Sequence, residues 1–498
     1  MPRRAILIDR PEILLDAMLP TPLYKQLYER LRGAILAGQV ERGTRLPSTR
    51  TLASELGVSR TTTNLAYELL LLEGYLESRV GQGTTVASQL PATLMHGQAE
   101  RISSEHTDSE APAIRIAEHA RPLQEMAFPK RVEERSGGAF RGGEPALDLF
   151  PYEIWARLIA RRARQSLRAF AHYQSPAGYE PLREAIATQI GITRGVRCTP
   201  EQIILTAGSQ GALDLAVRTL LNPGEAAWLE NPGYFGARGA LLAAGARLVS
   251  VPVDEQGIVV KIGRQRCPDA RMVFTTPSHQ FPTGVTMSLG RRLALLDLAR
   301  ETGAWILEDD YDSEYRFDGR PLEALQGLDR YGRVLYFGTF SKVLFPSLRL
   351  GYLVAPTELI DPLLAMRICI DGHLPILEQM ALADFIDEGH YARHLRQMLR
   401  QYRRRRDLLH RELRAHLGDL LELRTPGAGM HLAGWLPPGK DDQRAARLAA
   451  EVGIEVIPIS RYSMEPLPRG GLVFGYASAD EETIRQGVKM LAPALKQL

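Results

Sequence analysis

From about residue 140 onward, short apolar runs return at intervals with helical stretches between them. QIILT, AAWLE, RLVSVPV, RMVFTTP, AWILEDD and RVLYFGTF are each followed by a helix or turn signal. Their alternation with helices calls for an α/β domain built on a largely parallel sheet, expected over residues 136–498. Near 390–417, HYARHLRQMLRQYRRRRDLLHRELRAHL predicts a long basic helix leading into a smaller lobe from about residue 395. Its arginines are expected to form a solvated face, with contact to DNA the lesser alternative. No internal repeat is visible.

The first 87 residues have another grammar. After an arm (1–21), residues 22–87 read as a compact unit. Leu23, Leu27, Leu31 and Ile35 recur at helical spacing, and Gly38 follows as a stop. Ser48 caps a second short helix from Thr49 to Leu56, Gly57-Val58-Ser59 makes a tight turn, and Arg60 to Glu73 makes a third helix closed by Gly74. Leu65, Leu69 and Leu72 are expected to face inward. YLESRVGQGTTV then predicts a hairpin wing. A helix-turn-helix lays its second helix in the major groove and offers its N-terminal side chains to base edges. Here those are Arg60, Thr61, Thr62 and Asn64; arginine can pair with guanine and asparagine with adenine. Arg45 and Arg50, with Ser48 between them, stand where phosphates would be gripped, and Arg79 sits beside the wing glycines. A small helical protein–protein module is the competing reading of the same pattern.

Residues 88–135 are rich in Ser, Pro, Glu and His without sustained periodicity and read as a linker, mobile in its first half. At 498 residues the chain exceeds one ordinary domain, and a net charge of +3 requires that any nucleic-acid surface be local. Cys198, Cys267 and Cys369 have no zinc or disulfide spacing, which points to a reducing compartment. MPRRAILIDR is not followed by a long apolar core, and no run approaches the ~20 apolar residues of a membrane helix. A cytoplasmic location is the expectation.

The stretch GTFSKVLFPSLRLG places Lys342 in a small-residue and aromatic setting with Arg349 seven residues on. A lysine there can condense with an aldehyde while a cation and hydroxyls hold a phosphate, which suggests pyridoxal 5'-phosphate (PLP). Such a site also needs a carboxylate for the ring nitrogen, an aromatic ring for the pyridine face and a phosphate cup. TAGSQG after a strand and before a helix offers the cup, and Tyr234 in NPGY offers the ring. EDDYD ends the strand AWIL; its paired acids could hold a metal, but Asp309 and Tyr311 share one side of an extended chain and suit the ring nitrogen and phenolic oxygen. No metal is expected.

In this order the elements resemble fold-type I aminotransferases, over roughly residues 140–498. The resemblance implies Lys342 as the catalytic, Schiff-base lysine, Asp309 at the ring nitrogen, Tyr311 at the phenolic oxygen and Tyr234 stacked on the ring. It implies Ser209, Gln210, Thr339 and Arg349 around the phosphate, and Tyr173 reaching the neighbouring subunit of a two-fold homodimer. Two departures stand out. Phe281 occupies the place of an asparagine before Pro-Thr-Gly, so His279 or Gln280 would serve instead. The run Gly471–Tyr476 lacks the family's carboxylate-binding arginine, for which Arg461 or Arg469 are the candidates. The N-terminal segment resembles the winged helix-turn-helix of GntR-type bacterial repressors, on GTRLPSTRTLASELGVSRTTT and EGYLESRVGQGT. That resemblance implies Arg45, Arg50, Arg60, Thr61, Thr62, Asn64 and Gly83 at or near DNA.

The fusion, with SHQFPTG, EDDYDSEYR and FSKVLFPSLRLGY, resembles the MocR/GabR family of bacterial transcription regulators. It implies a regulator whose grip on paired promoter half-sites responds to PLP or an amine effector at Lys342. An active aminotransferase with an accessory N-terminal domain is the alternative, and a module that has lost PLP a third reading, opposed by intact Lys342 and Asp309.

Overall fold

The computed structural model describes residues 13, 15–79, 83–90, 115–125, 139–165, 171–317, 322–425 and 427–498. The chain divides into two compact units, Met1–Arg115 and Ile116–Leu498.

In the first unit, helices α1 (Leu23–Leu36), α2 (Thr49–Leu56) and α3 (Arg60–Leu72) precede a hairpin of β1 (Leu76–Arg79) and β2 (Gly83–Val86). The hairpin's turn lies outside the described residues. Ser48 accepts from the Thr51 amide and Ser59 from the Thr62 amide, so each of α2 and α3 begins on a side-chain cap. Leu27, Leu31 and Ile35 of α1 close on Leu52, Ala66, Tyr67, Leu70, Leu76 and Val86. The expected inward face of α3 is corrected. The helix buries Thr63, Ala66, Tyr67 and Leu70, while Leu65 is 41 % and Leu72 84 % exposed. Two polar anchors set this phase. The Thr63 hydroxyl donates to the Thr49 carbonyl (2.9 Å) and the Tyr67 hydroxyl to the Pro47 carbonyl (2.9 Å).

The second unit opens inside the segment read as linker. A helical turn (Glu118–Ala120) and a short helix (Arg121–Glu125) lie against the helix Phe235–Ala243. The main sheet has eight strands in the order β3-β10-β9-β8-β7-β4-β5-β6. They are β3 (Ile203–Thr206), β4 (Ala226–Asn231), β5 (Arg247–Asp254), β6 (Gly257–Ile258), β7 (Met272–Thr275), β8 (Trp305–Asp310), β9 (Val334–Thr339) and β10 (Gly351–Val354). β5, β4, β7, β8 and β9 run parallel, while β10 is antiparallel to both its neighbours and β6 to β5. The expected parallel core is thus present inside a mixed sheet. β3, β4, β7, β8 and β9 are buried at every position, matching their unbroken apolar runs.

The small lobe carries a four-stranded antiparallel sheet, β11 (Glu422–Leu423), β12 (His431–Trp435), β14 (Gly471–Gly475) and β13 (Ile457–Pro458) in that spatial order. Its core is shared by stretches far apart in the chain, residues 139–146, Tyr315 with Phe317, and residues from Met398 onward. Ala139, Phe140 and Ala146 pack with Met398, Tyr402, Leu432, Phe474 and Leu491. The Gly475 amide donates to the Phe140 carbonyl (2.8 Å), and the Ala146 amide to the Tyr402 hydroxyl (2.9 Å). The long helix His390–Leu417 is amphipathic, but its basic face is not wholly solvated: Arg405 and Arg406 are buried. Arg405 donates to the Ala477 carbonyl, and Arg406 lies 4.7 Å over the Phe317 ring. In a reading of charge alone these two arginines could not be told from their exposed neighbours.

Candidate ligand pocket and nucleic-acid interface

In sheets of this type the carboxyl ends of the parallel strands form the ligand crevice. Here those ends deliver Thr206, Asn231, Thr275, Asp309 and Thr339. Above them a pocket is lined by Ser209, Tyr234, Thr276, Phe281, Asp309, Tyr311, Asp312 and Lys342 from the large lobe. Gly142, Gly143, Met430, His431, Ile457, Tyr462 and Val473 close it from the small-lobe side.

The carboxylates of Glu308-Asp-Asp are sorted by strand alternation. Glu308 accepts from the Leu325 and Gln326 amides (2.8 Å each). Asp310 is ion-paired with buried Arg194 (2.7 Å) and accepts from the Tyr336 hydroxyl (2.6 Å). Asp309 turns to the opposite face and into the pocket. Its Oδ1 is buried without a hydrogen-bond partner among the described residues. Burial, then Asp310 and Asp312, push its carboxyl up to about 7, against the pull of Lys342. A buried carboxylate with an open oxygen fits a cationic ring nitrogen, which would supply the missing partner.

Lys342 follows β9, and its Nζ donates to the Gly143 carbonyl (2.8 Å). Tyr311 Oη lies 3.1 Å from His279 Nδ1, which is 2.9 Å from Asp312 Oδ2. Burial, with Asp312 and Asp309 next, holds the Tyr311 phenol well above its usual range. Of the two substitutes considered for the missing asparagine, Gln280 is committed to the end of β4 and to its own turn. Its Nε2 donates to Glu230 Oε2 (3.1 Å) and the Pro232 carbonyl (2.9 Å), and its Oε1 accepts from the Thr283 hydroxyl (2.6 Å). His279 is the one beside Tyr311. Phe281 forms a pocket wall, edge-on to Tyr462 at 4.8 Å.

At the other end, the helix Gly208–Leu220 starts directly after β3, so its free amides and positive dipole end face the Ser209 side of the pocket. Arg349 donates to the Ala207 carbonyl (2.9 Å), and a Cβ on Gly208 would stand 3.5 Å from its Nη1. Arg349 has φ +51°, a left-handed conformation that side chains other than glycine rarely adopt and that collects at functional sites. Thr339 is buried, with its hydroxyl accepting from the Ser341 amide (3.2 Å). Gln210 instead donates to the Gly236 carbonyl (3.0 Å). Tyr173 lies outside the pocket, 97 % exposed. Arg469 is engaged by Glu422 (2.6 Å) and lies over Trp435, away from the pocket, while Arg461 is exposed.

Sequence reasoning passed over the small-lobe contribution of His431, Ile457, Tyr462 and Val473. His279, Asp312 and His431 bring ligand-type atoms within 4.8 Å of one another, a spacing a metal could use. Here His279 is bonded to Asp312, and His431 Nε2 lies 3.2 Å from the Pro282 carbonyl.

In the first unit, Arg45, Ser48, Arg50, Arg60, Thr61, Arg79 and Gly83 are all exposed; Thr62 and Asn64 are half-buried. Thr62 Oγ1 is 2.8 Å from Ser59 Oγ, so its hydroxyl belongs partly to the cap. Arg45 bridges to Thr85 on the wing, and its guanidinium covers Gly83: a Cβ there would come within 2.8 Å of Nε, at φ +83°. The wing glycine therefore makes room for an arginine as well as for close backbone approach.

Comparison with known proteins agrees with this division. Residues 23–86 match the family "Bacterial regulatory proteins, gntR family", and residues 143–491 match "Aminotransferase class I and II". The probable rhizopine catabolism regulatory protein MocR of Rhizobium meliloti is 42% identical over 98% of this chain and 96% of its own. The crystal structure of LysN, an α-aminoadipate aminotransferase from Thermus thermophilus complexed with N-(5'-phosphopyridoxyl)-L-leucine, is 32% identical with TM-score 0.67, covering 79% of this chain and 98% of that one. Pyrococcus horikoshii kynurenine aminotransferase, solved with PMP, is 28% identical with TM-score 0.68, covering 81% and 99%. The chain belongs to the MocR-type transcriptional regulators, in which a GntR-family helix-turn-helix domain is joined to a fold-type I aminotransferase domain.

Proposed function

We propose that this regulator binds PLP at Lys342 and that PLP, or an amine effector meeting it there, alters the grip of a homodimer on paired half-sites of a promoter. The observation that carries the reading is Asp309 Oδ1, buried and without a hydrogen-bond partner among the described residues, in the pocket that also holds Lys342, Tyr311, Tyr234 and Ser209. PLP, when bound, supplies an aldehyde to which the lysine and an effector amine can attach in turn. Asp309 would hold the ring nitrogen's proton, Tyr311 with His279 the phenolic oxygen, and Tyr234 the ring face. Ser209, Thr339, Arg349 and the helix N-terminus would hold the phosphate, and Tyr173, exposed on this chain, would serve the site of a second copy in a cytoplasmic dimer.

The coupling runs through Lys342. Its hydrogen bond to Gly143 joins the large lobe to a segment packed in the small-lobe core. A change of partner at Nζ therefore alters a contact between lobes. Half-site binding depends on the placement of both readers, so a coupling of ~1–3 kcal/mol changes occupancy by roughly 5–150-fold. In the reader, Arg60, Thr61, Thr62 and Asn64 would face bases, with Arg45, Ser48, Arg50, Arg79 and Gly83 at the backbone.

The test is PLP loading followed by binding to the DNA upstream of the chain's own gene. Wild type should gain a visible absorption band that Lys342→Ala lacks, and Arg60→Ala should lose DNA affinity with the band intact. A wild-type protein that takes up no PLP, or whose DNA affinity ignores PLP and every amine tried, overturns the proposal. Sustained turnover of an amino donor with a keto acid, at about 1 per second or faster, would instead favour the aminotransferase reading.

A further inference from the structure

Part of the wall of the Lys342 pocket, its chamber side, is formed by Phe281, Met430, His431, Ile457, Tyr462 and Val473. Four of these are hydrocarbon or thioether side chains, and the other two are uncharged at neutral pH. His431 is fully buried, and burial followed by the proximity of His279 holds its imidazole well below the usual range. Burial raises the Tyr462 phenol to about 12, with Arg461 opposing. The charged groups lining the pocket, among the described residues, are Lys342, Asp309 and Asp312. Arg349 stands at the helix N-terminus at the other end of the site, and Arg461 is exposed on the turn Ile459–Tyr462. A carboxylate carried into this chamber would lose its water, meet no guanidinium on the lining, and share the pocket with two acidic side chains. Desolvating an ionised group without a partner costs more than an apolar contact returns.

We propose that the effector is a primary amine without a carboxylate, an aryl-, alkyl- or hydroxyalkylamine, and that Val473 with Ile457 sets this preference. This rests on the proposal that PLP binds at Lys342. Val473 lies on β14, paired with Ala433 and Ile457, at the centre of the small-lobe sheet. It also stands 4.0 Å from where a Cβ on Gly142 would be, so its side chain meets the glycine pair that borders Lys342. An arginine at that position would put a cation into the chamber wall; valine there favours a hydrocarbon or a hydroxyl-bearing chain.

The experiment uses the full-length PLP-loaded protein and pairs of amines that differ only in a carboxylate, 2-phenylethylamine against L-phenylalanine and ethanolamine against L-serine. Dissociation constants come from the change in the visible band and from calorimetry, and promoter affinity is measured in parallel. In each pair the amine lacking the carboxylate should bind tighter by roughly tenfold or more. Val473→Arg should close that gap or invert it, and Ile457→Arg is the second variant should the first fail to fold. Equal or tighter binding of the carboxylated partners by wild type overturns the proposal, above all if Arg461→Ala removes that binding. A protein that takes up no PLP overturns this inference together with the reading beneath it. One that loads PLP and prefers amino acids overturns this inference alone.

Discussion

Asp309 sets folding against ligand binding within one side chain. Its carboxyl rises from 3.8 to about 7, chiefly through burial. A carboxyl whose folded value is raised holds a proton that the unfolded chain releases, so its contribution favours the fold below 3.8 and is lost as pH climbs through about 7. Protein stripped of cofactor should therefore gain stability from Asp309→Asn near pH 8, on the order of a few kcal/mol. The gain should shrink as the pH approaches 5. Glu308, raised in the same way, is present in both proteins and cancels. Urea unfolding of the two proteins across this range measures the gap, and a gap independent of pH would remove the titration account. The same variant should not retain PLP. Asp309 and Tyr311 were legible in the sequence because strand alternation alone puts them on one side and Glu308 and Asp310 on the other. His431 and Val473 were not, because HLAGW and GLVFG read as plain apolar strands and only the packing of the lobes brings them over the pocket.

At the scale of elements, α3 shows how far periodicity reaches. The helix, its Ser59 cap and its place after a tight turn follow from local signals, and all are present. Its phase does not follow, because the leucine run Leu69–Leu72 satisfies more than one face. Thr63 and Tyr67 decide it through hydrogen bonds to α2 and to the loop before it, partners invisible without the fold. Leu70 is fully buried and Leu72 largely exposed, so neighbouring leucines predict opposite outcomes. Leu70→Ala should cost ~2–5 kcal/mol; Leu72→Ala should stay within about 0.5 kcal/mol. Thr63→Val keeps the shape but removes the hydroxyl that ties α3 to α2, a loss of roughly 1 kcal/mol that should also weaken promoter binding. Hydrogen exchange of residues 23–86 in the full chain reads all three. A greater loss of protection in the Leu72 variant than in the Leu70 variant would mean that the helix sits in the phase first expected from sequence.

For the whole molecule, the alternation of apolar runs and helices was enough to anticipate the large lobe, and the long helix before the small lobe was equally plain. What the pattern could not convey is that residues 139–146 belong to a core whose other members are Tyr315, Phe317 and side chains from Met398 to Leu495, a return in which the Ala146–Tyr402 hydrogen bond alone spans 256 residues. That return places Gly142 and Gly143 between the lobes, with Gly142 facing Ile457 and Val473 and Gly143 bonded to Lys342. Gly143 has φ +79°, and a Cβ there would stand 3.0 Å from Lys342 Nζ. Gly143→Ala therefore adds backbone strain of roughly 1–3 kcal/mol and crowds the Lys342 amine from the small-lobe side. If ligand chemistry at Lys342 reaches the DNA readers through this contact, the variant should bind PLP at least about tenfold more weakly. Its promoter affinity without PLP should match wild type, while the change in affinity on adding PLP should diminish. Spectral titration and DNA binding on the same preparation separate these effects. Undiminished PLP binding together with an undiminished PLP effect on DNA would show that the Lys342–Gly143 contact carries no signal, and the route between the two functions would have to leave the pocket elsewhere.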